Sequence, residues 1–191
     1  MQVSTKEIVM AALFTALLCV LTILVRVLQP VMVVPFSLQP LVVMIAACVL
    51  KPRIAALSML AYILLGLIGL PVLSSPPYGG PAYVFLPTFG FLLAYPFAAY
   101  LQSKCIRRTS FVHFLLAGIV GVVVIYVIGL PYLYAILNFY LGKSVDIMGV
   151  LTIGFFPFVT FDLIKAAVAA LIALEICKRL DIKRENMVKP E

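Results

Sequence analysis

The stretch Gly154-Phe-Phe-Pro-Phe-Val-Thr-Phe-Asp-Leu-Ile-Lys-Ala-Ala-Val-Ala-Ala-Leu-Ile-Ala-Leu-Glu175 decides the fold. It carries no charge between Gly154 and Leu174 except Asp162 and Lys165. A helix of this length crosses a hydrocarbon core of ~30 Å at about 1.5 Å per residue. Opposite charges near the middle of a membrane helix are costly, and they face a partner, a cavity or a ligand rather than lipid. At i, i+3 the two side chains share one helix face. Three readings follow. In a ligand site, Lys165 offsets an anionic ligand and Asp162 accepts from ligand N–H groups. In a structural role, the pair ties two helices together. A proton relay needs further acids within the membrane, and Glu175 lies near the far end of the span.

The rest of the chain has the same character. Its 191 residues are 65% hydrophobic and 11% charged, against ~45–50% and ~25% in soluble domains. The apolar runs do not alternate with polar residues as a membrane β-barrel requires. The fold class is therefore an all-α membrane protein, a single transmembrane domain over 1–191. Hydropathy predicts six transmembrane helices, at about 6–28, 34–50, 54–70, 87–101, 111–137 and 150–178, followed by a basic C-terminal tail, 179–191. Spans two to four are short, which implies tilt or partial burial. The first apolar run is too long for the core of a cleavable signal and reads as a first membrane helix.

The net charge of +7 reports topology rather than nucleic-acid binding. Eleven cations cluster before span one, between spans two and three, between four and five, and after six; only Arg26 and Lys143 fall in the other connections. The positive-inside rule places both N- and C-termini in the cytoplasm, and the localisation expected is the cytoplasmic (inner) membrane, crossed several times. Cys19, Cys48, Cys105 and Cys177 are isolated and read as small apolar residues with reduced thiols. His113 is the only histidine, and no catalytic set, nucleotide-binding loop or metal site is visible. The chain is not expected to be an enzyme, and no cofactor or metal is expected.

The outer connections are unusual. Residues 29–40 carry three prolines, and 70–87 carry five with Gly79-Gly80. Proline stiffens the chain and glycine allows close approach, so these apolar loops are expected to fold over something as a lid, or else to lie in the headgroup region. The short echo Ile68-Gly-Leu-Pro71 and Ile128-Gly-Leu-Pro131 reads as shared helix-ending chemistry. An aromatic belt explains most of the outer tyrosines, while Tyr83, just after Gly79-Gly80, is the candidate to stack on a flat ligand. Ala12-Leu-Phe-Thr-Ala16 forms a small-xxx-small face, widened by Ala11 and Thr15, suited to helix packing or to docking.

Several of these pieces occur together in an order that resembles the BioY family. They are Val34-Pro-Phe-Ser-Leu-Gln39, Lys51-Pro-Arg-Ile-Ala-Ala-Leu-Ser58, Tyr62-Ile-Leu-Leu-Gly-Leu-Ile-Gly-Leu-Pro-Val72, Gly79-Gly-Pro-Ala-Tyr83, Pro87-Thr-Phe-Gly-Phe91, Ile128-Gly-Leu-Pro131 and Phe161-Asp-Leu-Ile-Lys-Ala166. They cover most of residues 8–180. Ser74-Ser-Pro-Pro-Tyr78 departs from the glycine-rich run usual there.

The resemblance implies the biotin-binding membrane component (S component) of an energy-coupling-factor (ECF) transporter, in which an outward-opening ligand pocket is capped by loops. It implies high-affinity capture of biotin and its uptake without chemical change. The partners implied are biotin, membrane lipid, a transmembrane coupling subunit and two cytoplasmic ATPases. Asp162 and Lys165 match the acid and lysine of the biotin site, and Ala12 and Ala16 match the surface that docks on the coupling subunit. Within the matching motifs, Tyr83, Gly80, Phe36, Gln39 and Thr88 complete the candidate substrate-binding set. The chemistry of the residues alone also suits another small vitamin, or a solitary oligomeric biotin transporter with no ATPase partner.

Overall fold

The computed structural model describes residues 4–28 and 37–183. Phe36, most of the first proline-rich connection and the end of the basic tail lie outside the described residues. Seven α-helices occur among them, with no strand: α1 (Thr5–Leu28), α2 (Gln39–Val49), α3 (Pro52–Leu67), α4 (Phe89–Cys105), α5 (Phe111–Ala135), α6 (Ile147–Gly154) and α7 (Phe156–Arg179). A short 3-10 helix (Pro81–Phe85) precedes α4, and a π-helical turn (Ile136–Tyr140) ends α5. Among the described residues three segments are long and apolar enough to cross a membrane: Thr5–Leu28, Phe111–Tyr140 and Phe156–Arg179.

The sequence of α2, Gln-Pro-Leu-Val-Val-Met-Ile-Ala-Ala-Cys-Val, is apolar on every side past its first turn, and such a helix belongs in the interior. All of its residues except Leu41 are buried. Around it, α4 lies between α3 and α5, α5 packs on α7, α7 packs on α2, and α1 leans on α3 and α2. Prolines open α2, α3 and α7, where the missing N–H leaves no bond unmade. Glu7 of α1 pairs with Lys51, just before α3, at 2.8 Å, and Ser103 Oγ of α4 donates to the Leu50 carbonyl at the end of α2 at 2.7 Å. These contacts gather the basic connections at one end of the bundle. The proline-rich loop 70–87 lies at the other.

Two expectations are corrected. The span expected as one helix over 150–178 is broken: α6 ends at Gly154, Phe155 leaves the helical region (φ −121°, ψ −64°), and α7 begins at Phe156. The cause is Pro157, which has no N–H to continue a helix from α6, together with Gly154, whose missing side chain leaves space taken by Leu133 and Leu130. The two Gly-Leu-Pro echoes also differ. Gly69 takes φ +110° just past the end of α3, a conformation open to glycine at little cost. Gly129 stays helical against Phe91, and α5 continues through Pro131.

Candidate functional site

On α7 the buried residues are Asp162, Lys165, Ala166, Ala169, Ala170, Ala173 and Cys177. This is one stripe at helical spacing, so the polar pair continues the face that packs inward. Its alanines let α5 come close, and a side chain on Gly118 would meet the Ala166 methyl group at 3.2 Å. Asp162 and Lys165 are each only 7% exposed. Lys165 Nζ donates to Asp162 Oδ1 at 2.8 Å, and Tyr126 Oη, reaching across from α5, donates to Asp162 Oδ2 at 2.6 Å. A carboxylate offers about four acceptor positions, so Asp162 keeps acceptor capacity on its remaining side. Asp162 lines a cavity of about 220 Å³, room for a small organic molecule rather than a single water.

A second part of the lining carries no charge. Gln39, the first residue of α2, is buried at the centre of a hydrogen-bond cluster. Its Nε2 donates to Tyr62 Oη at 2.6 Å and to Thr22 Oγ1 at 3.1 Å. Its Oε1 accepts from Tyr95 Oη at 3.2 Å and from Ser37 Oγ at 3.3 Å. Tyr62 Oη in turn donates to the Val72 carbonyl at 3.1 Å. One glutamine thus joins α1, α2, α3, α4 and, through Tyr62, the proline-rich loop. Gln39, Tyr95 and Ser37 all line the cavity.

Apolar groups fill the remaining perimeter: Phe91 and Leu92 of α4, Ile125 of α5, and Phe158 and Phe161 of α7. Tyr126 stands edge-on between Phe91 (centroids 6.2 Å apart) and Phe155 (4.9 Å), which fixes the ring that holds Asp162. Ser74 and Ser75 close one side. Largely apolar walls with a few convergent polar groups are the signature of a small-molecule site. Among the described residues no group of three or more His, Cys, Asp or Glu side chains is placed to hold a metal ion.

Of the residues singled out in the sequence, the cavity brings together Asp162, Lys165, Gln39 and Thr88. Tyr83 and Gly80 are not on its wall. Tyr83 is fully buried behind the loop, where its hydroxyl lies 3.2 Å from Ser74 Oγ and accepts from the Ser75 N–H at 3.3 Å. Its ring stands edge-on to Phe89, so it braces the serines and is not free to stack on a ligand. Gly80 takes φ +96°, and its N–H donates to the Gly66 carbonyl at 2.7 Å. Phe36 lies outside the described residues.

Sequence reasoning missed Tyr126, Tyr95 and the two serines. A signal existed for the tyrosines: each lies deep inside an apolar helix, where a hydroxyl needs a partner.

The small face of α1 splits in two. Thr15 Oγ1 donates to the Ala11 and Ser58 carbonyls, each at 2.9 Å, and Ser58 Oγ donates to the Ala11 carbonyl at 3.0 Å. Ala11 and Thr15 therefore pack inward on α3. Ala12 and Ala16 are exposed on the other side of the helix, among Val9, Leu13 and Val20.

Comparison with known proteins returns one family throughout. The model of the BioY family matches residues 1–182. The probable biotin transporter BioY of Lysinibacillus sphaericus is 37% identical over 180 residues, covering 93% of this chain and 89% of that protein. The biotin transporter BioY of Thermotoga maritima is 38% identical over 181 residues, covering 94% and 99%. Among solved structures, the S-component for biotin from an ECF-type ABC transporter superposes with a TM-score of 0.73 at 24% identity, covering 93% of this chain and 95% of that one. That likeness carries the fold.

Proposed function

Since the chain belongs to the BioY family, we propose that it captures biotin and takes it up across the cytoplasmic membrane as the substrate-specific component of an ATP-driven energy-coupling-factor transporter. The observation that carries the reading is the buried Tyr126–Asp162–Lys165 chain opening on a cavity of about 220 Å³. Biotin has a compact bicycle, two ureido N–H donors, a ureido oxygen and a carboxylate. The acceptor capacity left on Asp162 suits an N–H donor. Lys165 supplies a positive donor for a ligand oxygen, and the phenylalanines take the ring.

In the proposed topology α1 to α5 each cross the membrane once, and α6 with α7 makes the sixth crossing. The cation asymmetry puts both termini in the cytoplasm, so loop 70–87 and the cavity mouth face outward. Ala12 and Ala16, on the exposed face of α1, dock on the transmembrane coupling subunit, which two cytoplasmic ATPases drive. Release to the cytoplasm follows reorientation of the whole protein by these partners. No chemical step is involved, in keeping with relatives named as transporters.

Retention of labelled biotin by the purified protein, challenged with an excess of biotin, thiamine or riboflavin, tests the substrate. Displacement by biotin alone is expected, and displacement by another vitamin identifies a different cargo. Uptake in cells with and without the coupling subunit and ATPases tests the partnership. Uptake that does not depend on them would point to a solitary transporter.

A further inference from the structure

Arg26 lies near the loop end of α1. Its Nη1 donates to the Pro71 carbonyl at 2.9 Å and to the Leu73 carbonyl at 3.4 Å, and its guanidinium lies 4.3 Å from the centre of the Tyr78 ring. Those three residues bracket Ser74 and Ser75, the part of the loop that lines the cavity. No salt bridge joins Arg26 to a carboxylate among the described residues. Its charge is directed at backbone carbonyls and a ring, all belonging to one loop.

The loop is shaped around that grip. Tyr78 holds φ +66°, a left-handed conformation that bulky side chains adopt only when their surroundings over-determine it. Two hydrogen bonds fix it there: the Tyr78 N–H donates to the Ser75 carbonyl at 2.7 Å, and the Tyr78 carbonyl accepts from the Leu73 N–H at 2.9 Å. The result turns the Tyr78 ring toward α1.

We propose that Arg26 is a positioning residue, a clasp by which α1 holds the serine segment of the loop closed over the cavity and so sets how long a bound ligand stays. Guanidinium suits the task, because it donates to more than one carbonyl from one plane and stacks on an aromatic face with the same plane. A bland alternative exists. A cation at the end of a membrane helix also anchors that helix at the headgroups. Lysine anchors as well as arginine does, but it is a point donor that cannot reproduce the planar grip. Arg26→Lys therefore separates the two roles.

The effect on ligand residence rests on the biotin-site reading; the closure of the loop does not. The test accordingly has two parts. Hydrogen exchange of peptides spanning 70–80 is measured on ligand-free wild type and on Arg26→Gln, Arg26→Lys and Tyr78→Leu. Exchange in α2 serves as the control for folding. Biotin dissociation is then timed for the same four proteins.

The clasp predicts about tenfold faster loop exchange and dissociation for Arg26→Gln, the size expected for losing hydrogen bonds to a charged group. Smaller increases in the same direction are expected for Arg26→Lys and Tyr78→Leu. Wild-type exchange in Arg26→Gln overturns the clasp, as does full recovery by Arg26→Lys. Faster exchange with unchanged biotin dissociation overturns the link to residence. A folded wild type that binds no biotin refutes the ligand reading instead, and the exchange data still decide the clasp.

Discussion

Two parts of the cavity lining are built on opposite principles, and each can be called a wall. The α5–α7 wall concentrates charge: Asp162, Lys165 and Tyr126 lie within two hydrogen bonds of one another on two helices. The α1–α4 wall disperses neutral groups, with Gln39 touching partners on three other helices and the segment just before α2. A buried charge without its partner is severely destabilising, whereas a neutral network loses its members in smaller steps. The charged wall should therefore govern whether ligand binds at all. The neutral wall should govern whether the bundle holds the cavity's shape.

The largest effect is expected at the charged wall. Lys165→Ala leaves a buried carboxylate facing one tyrosine, and it should lower stability by ~3–5 kcal/mol as well as abolish binding. Asp162→Leu with Lys165→Met separates the two losses. Replacing both members of a buried pair by apolar residues of similar size is often neutral for stability, so the double variant should be more stable than Lys165→Ala, short of wild type by the acceptor that the Tyr126 hydroxyl loses, while binding stays lost. A double variant that binds biotin would make the pair purely structural.

Next come the neutral partners. Gln39→Leu leaves the Tyr95 hydroxyl without its acceptor, whereas Tyr62 and Thr22 keep the Val72 and Leu18 carbonyls, and unfolding should show a loss of ~1–3 kcal/mol, the cost of one buried unsatisfied group. Tyr126→Phe keeps the ring packing but removes one bond to a carboxylate, and it should weaken binding about tenfold or more by calorimetry, at ~1.5–3 kcal/mol for a charged hydrogen bond. If Gln39→Leu abolishes binding without loss of stability, while Tyr126→Phe leaves binding intact, the assignment of roles to the two walls is reversed.

The smallest effects belong to the perimeter. Tyr83→Phe removes the hydroxyl that braces Ser74 and Ser75, and a severalfold loss of affinity is expected, at ~1 kcal/mol for a neutral hydrogen bond. Thr88→Val, at an exposed position on the cavity rim, should change affinity by less than about threefold, since surface changes stay within ~0.5 kcal/mol.

The same contrast explains what was legible in the sequence. Charge inside an apolar helix is conspicuous, and Asp162 and Lys165 could be singled out from spacing alone. The first helix was also clear, expected over 6–28 and found at Thr5–Leu28, because an uninterrupted apolar run has few ways to fold. The neutral wall was harder. Gln39 is legible only through its motif, and Tyr95 and Tyr126 show in the sequence only that a hydroxyl inside an apolar helix needs some partner, not which partner it meets.

Tyr83 shows the converse. Its place after Gly79-Gly80 suggested a ligand contact, yet the tight turn carries the ring behind the loop rather than into the cavity. The break at Phe155 was hidden for a similar reason. Hydropathy averages over Pro157, while the backbone does not. On α1, Ala11 and Ala12 are neighbours in the sequence and face opposite environments, a distinction that composition cannot draw but helical rotation imposes.

The proposed ligand of the cavity lined by Asp162, Lys165 and Gln39 is biotin. Calorimetric titration of biotin into the detergent-solubilised protein, with Asp162→Asn beside it, decides whether it binds there. A saturable one-to-one heat is expected for the wild type, and its loss in an Asp162→Asn protein that remains folded. No heat from a folded wild type, or undiminished heat from folded Asp162→Asn, would contradict it.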